Sequence, residues 1–241
     1  MIRYCTVEYR CGGISAVLHF SLPLICHNIP SMKNLLIVCL CLAASCSALR
    51  GFTDAECGVI ASQQGHIMRL WTVADPGDSL FLRRKAVPLG REELQSAHFR
   101  MLKEGMLATV CDTTDRGVGI AAPQVGVSRR LIAVQRFDKQ GDPFEVFVNP
   151  EIIRYSAEQQ SGEEGCLSLP DVSGCVSRAK QVTLRYLDGR TFEKREEVID
   201  GFTAVIVQHE IDHLDGRLFT DLLLPDENNR NTVPEAQNVD K

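Results

Sequence analysis

The chain is poor in aromatic side chains, 6% of 241 residues with one tryptophan, and beyond Cys57 it has only three cysteines, Cys111, Cys166 and Cys175. The other seven, Cys5, Cys11, Cys26, Cys39, Cys41, Cys46 and Cys57, crowd the N-terminal quarter. A disulfide framework would spread through the folded part, so that class is set aside, and the N-terminal thiols read as small hydrophobes. No extended lysine- or arginine-rich run occurs and the net charge is -5. Nothing therefore marks a phosphate-neutralising surface, and nucleic acid is excluded as a ligand. Internal repeats are absent, and the longest apolar stretch is too short for a clear membrane span. What is present, 44% hydrophobic and 24% charged residues, suits one sizeable core and one catalytic domain.

Four zones follow along the chain. Residues 1–50 contain a single acid, Glu8. Within them "MKNLLIVCLCLAASCSAL" (32–49) sets a basic start, an apolar core and small residues around Cys46, the layout of a secretory signal with a lipoprotein-like cleavage site. Cleavage at or near Cys46 and attachment to a membrane outside the cytoplasm are expected, with organellar import or cytoplasmic residence as the alternatives. Residues 51–67 read as a linker leading into an extended arm punctuated by Asp75-Pro76-Gly77 and Pro88. The catalytic domain is placed at 68–222, and 223–241 is a polar tail. Inside the domain, Arg91 to Val110 carries a helical apolar period, read as one long helix. Strands follow in "RRLIAVQRFD", "FEVFVNPEII" and "QVTLRYLDGRTFEKREEV", the last turning at Asp188-Gly189. A second helix is expected from about Gly201 to Leu214, stopped by Gly216.

That helix carries "VIVQHEIDHLDG" (205–216). Positions i and i+4 share a helix face, so His209 and His213 can reach one ion. Glu210 lies beside them, where a carboxylate can take a proton from a water acidified by the ion. His-Glu-x-x-His is a metal-hydrolase signature of fair specificity, with two surface histidines on a solvated helix as the lesser reading of an isolated match, and a catalytic site of this type needs a third protein ligand. One metalloprotease class places a third histidine where this chain has Phe219, which cannot ligate. The polar tail offers Glu227 and Glu235 without a helix to carry them. The ligand is therefore sought upstream. "SGEEGCLSLP" (161–170) presents Cys166 after a glycine in a turn between strands, ahead of Cys111 at a helix end and Cys175 in a less distinctive loop. "GVGIAAPQVG" (117–126) adds a glycine-rich turn that lets backbone approach a ligand, and Gln124 brings an amide donor.

At these three segments, Gly117 to Gln124, Glu164 to Ser168 and Gln208 to Leu214, the sequence resembles the peptide deformylase family. The resemblance runs from about residue 68 to 222. It implies an α+β fold, with antiparallel sheets packed around a central helix carrying the His-Glu-x-x-His motif. It also implies removal of the formyl group from N-formylmethionyl peptides, with release of formate. One divalent ion is implied, ferrous iron first, with zinc, nickel or cobalt as alternatives that a thiolate and two imidazoles do not separate. By the resemblance Cys166, His209 and His213 are the ligands and Glu210 the acid/base, while Gln124 and the Leu167 backbone N–H meet charge on the formyl oxygen. Val118, Gly119, Leu167, Val205 and Ile206 would line the pocket for the substrate methionine. A metallopeptidase would share the histidine motif without the cysteine, and a non-catalytic formyl-peptide-binding module would need a broken site. Two features depart from the family's habit: the export-like segment, and an arm lengthened between Asp75-Pro76 and Leu82-Arg83.

Overall fold

The structure is a computed structural model that describes residues 5–11, 14–20, 51–63, 66–112 and 117–225. Two units separate along the chain, Met1–Ala48 and Leu49–Lys241. In the first, strands β1 (Cys5–Cys11) and β2 (Ile14–Phe20) pair antiparallel. The export-like segment at 32–49 and residues 226–241 of the polar tail lie outside the described residues. Among the described residues no helix is long and apolar enough to cross a membrane.

The second unit opens with helices where the sequence suggests linker and extended arm. Helix α1 (Asp54–Gln63) starts at a reciprocal cap: Thr53 Oγ1 accepts from Glu56 N–H at 3.2 Å, and Glu56 accepts from Thr53 N–H at 2.9 Å. Helix α2 (Pro76–Leu82) is capped by Asp75, which accepts from the N–H groups of Gly77 and Asp78, with proline in the first turn. The expected long helix is two helices. α3 (Arg91–Gln95) ends at Ser96, whose hydroxyl accepts from Phe99 N–H and so restarts the chain as α4 (Ala97–Val110).

Five antiparallel strands then form a sheet in the order β3 (Gly119–Ala121), β4 (Leu131–Gln135), β5 (Phe144–Tyr155), β8 (Gln181–Asp188), β9 (Lys194–Asp200). β6 (Gln159–Cys166) and β7 (Leu169–Ala179) make a separate long hairpin. The glycine-rich segment is less a turn than expected: it is strand β3 followed by a 3₁₀ helix at Ala122–Val125. Helix α5 (Gly201–Leu214) runs through the middle, buried on nearly every side from Thr203 to Leu214, as an apolar helix without a solvent stripe must be. Ile206, Val207, Ile211 and Leu214 join Ile132, Val134, Phe147 and Leu184 in one core, while α4 and β4 enclose a second around Phe99, Leu102, Met106 and Leu131. The α+β architecture with antiparallel sheets around the helix bearing the motif is the one expected from the sequence.

Candidate metal centre and cleft

Helix α5 is fixed where its ligands are needed. Gln208 bonds the end of β7 with both ends of its amide, accepting from Ala179 N–H at 3.0 Å and donating to the Ala179 carbonyl at 2.8 Å. The next residue, His209, and His213 one turn on are 9% and 1% exposed. Cys166 closes β6 and places Sγ 3.2 Å from His213 Nε2. One ligand atom from each of Cys166, His209 and His213 lies within 4.8 Å of the others, so the sequence-derived trio converges. Cys111 is an exposed helix cap, and Cys175 lies within β7 rather than in a loop.

The donor set suits a soft-to-borderline divalent ion, one thiolate with two imidazoles. Its electrostatics agree. Burial lowers the basicity of His209, yet Cys166 and the carboxylates of Glu164 and Glu210 raise the ring to about 10. Surroundings that pull a proton onto this imidazole pull equally on a bound cation. Burial holds His213 well below its ordinary range, neutral and ready to ligate.

A residue the sequence reading left without a role orients the first histidine. Glu164 Oε2 lies 2.8 Å from His209 Nδ1, which leaves Nε2 for the ion. Burial would raise the Glu164 carboxyl, but Arg178, bonding both its oxygens at 2.8 and 2.9 Å, and His209 hold it at about 2. On the other side the Phe219 ring stacks on His209 at 6.0 Å.

Glu210 is 4% exposed, and burial pushes its carboxyl up to about 7. Gly119 explains how it fits: a Cβ there would overlap Glu210 Oε1 and lie 2.7 Å from Ile206 Cγ2. Gln124 is anchored by its own backbone neighbour. Its Oε1 accepts from Ala121 N–H at 2.8 Å, which turns Nε2 toward Ser168 Oγ at 3.3 Å and Cys166 Sγ at 3.5 Å. The arm secures both loops, Trp71 N–H donating to the Gln124 carbonyl and Val73 N–H to that of Ser168.

A cleft of about 560 Å³ opens over these groups. Val118, Gly119, Leu167, Val205 and Ile206, the sequence-derived pocket residues, all line it beside Gln124, Cys166, His209 and Glu210. It also includes Phe202, which the sequence reading missed. Phe202 sits in the first turn of α5, three residues before Val205, so helical spacing alone would have placed it on the same face.

A helix carrying His-Glu-x-x-His, a cysteine at a strand end and an open cleft define a metallohydrolase-type site on an α+β fold. The polypeptide deformylase family model matches residues 67–229, and the chain belongs to that family. It is 45% identical over 144 residues to a peptide deformylase 2 of Xanthomonas axonopodis pv. citri, a match covering 60% of this chain and 82% of that protein. Among solved structures, a K3U-bound class I type b peptide deformylase from Acinetobacter baumannii is 41% identical with a TM-score of 0.59, covering 65% of this chain and 99% of that one. The same protein bound to Met-Ala-Ser is 39% identical with a TM-score of 0.58, covering 66% and 99%.

Proposed function

We propose that this chain is a metal-dependent peptide deformylase that removes the formyl group from N-formylmethionyl peptides, with ferrous iron as its native metal. The observation that carries the reading is the clustering of Cys166, His209 and His213 at the wall of a cleft that Glu210, Gln124 and apolar side chains also line. A divalent ion held by Cys166, His209 and His213 would lower the pKa of water and polarise the formyl carbonyl. Glu210, with a carboxyl near neutrality, takes the proton of the attacking water and delivers it to the leaving amine. The Gln124 amide, already oriented by Ala121, and the Leu167 N–H donate to the formyl oxygen as it becomes anionic. Val118, Val205 and Ile206 give the methionine side chain an apolar wall to pack against.

Anaerobic purification, metal analysis and a formate-release assay on a formyl-Met peptide test this. Expected are one metal per chain, retained by Cys111→Ala and Cys175→Ala and lost by Cys166→Ala, and formate equal to the free amine produced. Cleavage of internal peptide bonds without formate would overturn it in favour of a metallopeptidase.

The layout of residues 32–49 supports a further proposal, export and membrane attachment through Cys46. N-terminal mass spectrometry of the fractionated protein decides it: a modified terminus at Cys46 in the membrane fraction is expected, and an intact Met1 or Met32 on cytosolic protein rules it out.

A further inference from the structure

Behind the centre, the ionic chain that starts at Glu164 continues outward. Arg178, 5% exposed, gives Nε and Nη2 to Glu164 and Nη1 to Asp212. Asp212, 3% exposed, accepts on its other oxygen from Arg217, whose side chain is 53% exposed. Asp212 lies on α5, three residues after His209 and directly before His213. Two acids and two arginines thus alternate from His209 to the surface.

Two observations give this outer pair a purpose beyond packing. The β6–β7 ladder pairs regularly up to Gly165 opposite Ser173, then its register shifts so that Cys166 faces Leu169. At the residue that supplies the thiolate the backbone ladder therefore stops fixing the strand. Glu164, two positions earlier and still within the regular ladder opposite Gly174, is clamped to Arg178 on β7 and through it to Asp212 on α5. The second observation is charge. Arg178 is a buried cation behind the two histidines, where it would oppose a bound metal unless balanced; Glu164 balances it from β6 and Asp212 from α5.

We infer that Asp212, steadied by Arg217, is a positioning residue that holds the Cys166 strand end at its working distance from the two histidines and cancels the charge of Arg178 there. The inference rests on the reading that Cys166, His209 and His213 hold a metal, and it is tested by metal binding without any substrate.

Nickel or cobalt affinity, measured by chelator competition on Asp212→Asn, Arg217→Met and Glu93→Gln, separates positioning from general stability. Glu93 belongs to a buried ionic cluster around Arg129 that does not touch the cleft. Asp212→Asn is expected to weaken the metal about tenfold, the scale of a partner behind a ligand, and Arg217→Met about threefold. Glu93→Gln should lower the thermal midpoint while leaving metal affinity at the wild-type value. Wild-type affinity in Asp212→Asn, or an equal loss in Glu93→Gln, would overturn the inference. Should Asp212→Asn fail to fold, Arg217→Met at its half-exposed position decides in the same way, unchanged affinity overturning it. If the wild-type chain itself binds neither ion, the metal-site reading fails instead.

Discussion

Glu210 shows how one residue can be costly to the fold and necessary to the chemistry. Its Oε2 is buried and finds no hydrogen-bond partner among the described residues, and burial is the main cause that raises its proton affinity. Replacing it with glutamine keeps the shape and removes a charge that the site already penalises. Glu210→Gln should therefore keep its metal, melt at or above the wild-type temperature, and lose about 10²–10⁴-fold in kcat; metal analysis, a melting curve and formate release check the three parts. Near-wild-type turnover would remove Glu210 from the proton path. The histidine pair and Glu210 were legible in the sequence because a single helical period fixes their mutual placement. Glu164 and Arg178 were not given their roles, since their meeting depends on the register of β6 against β7, with Gln160 opposite Arg178 and Glu164 opposite Gly174. A linear sequence read without pairing partners does not reveal that register.

At the scale of elements, β4, β5, β8 and β9 are legible as apolar runs between turn signals, and α5 through its motif and the Gly216 stop, whereas the glycine-rich segments that form β3 and the β6–β7 hairpin read as turn and loop. Helix α1 was missed because "DAECGVIASQ" has no apolar stripe to read. A signal was present nonetheless: Thr53 and Glu56 stand at capping-box spacing. At α2, Asp75-Pro76-Gly77 reads as a break in an extended arm, yet the same Asp-Pro pair is an N-cap followed by proline. Ser96 likewise hid inside a continuous helical pattern.

The strands themselves are tied by Arg136, 1% exposed, which follows β4 and reaches Asp138, Glu145 on β5 and Glu197 on β9. Burial would raise the Glu197 carboxyl, but Arg136 and the Tyr186 hydroxyl hold it at about 2, below its ordinary 4.5. A depressed carboxyl stabilises the fold fully above pH 4.5 and loses that contribution as pH falls toward 2. Glu197→Gln should lower stability at neutral pH and flatten the acid side of the stability curve. Denaturant midpoints measured from pH 7 downward would show the two curves converging; parallel curves would mean that the Arg136 cluster does not link folding to this proton.

On the scale of the whole molecule, α1 belongs to the catalytic unit, and Arg129 is what joins it. This arginine, 5% exposed, bonds Glu56 at 3.0 and 2.9 Å, Glu93 of α3 at 2.6 Å and the Gly51 carbonyl at 3.1 Å. Ile60 on the same helix is 1% exposed and enters the core with Phe99 and Leu102. Removing α1 would uncover that core and leave Arg129 with Glu93 alone. Breaking one arm of such a buried cluster costs roughly 3 kcal/mol, which in a unit of this size lowers the thermal midpoint by about 6–12 °C. Measured against a chain begun at Gly51, Glu56→Ala in that chain should show the drop, and a chain begun at His66 a larger one. None of the α1 residues lines the cleft, so formate release per folded molecule should survive in Glu56→Ala below its melting point. A His66-start chain as stable as the longer one would mean that α1 rests on the domain without holding it.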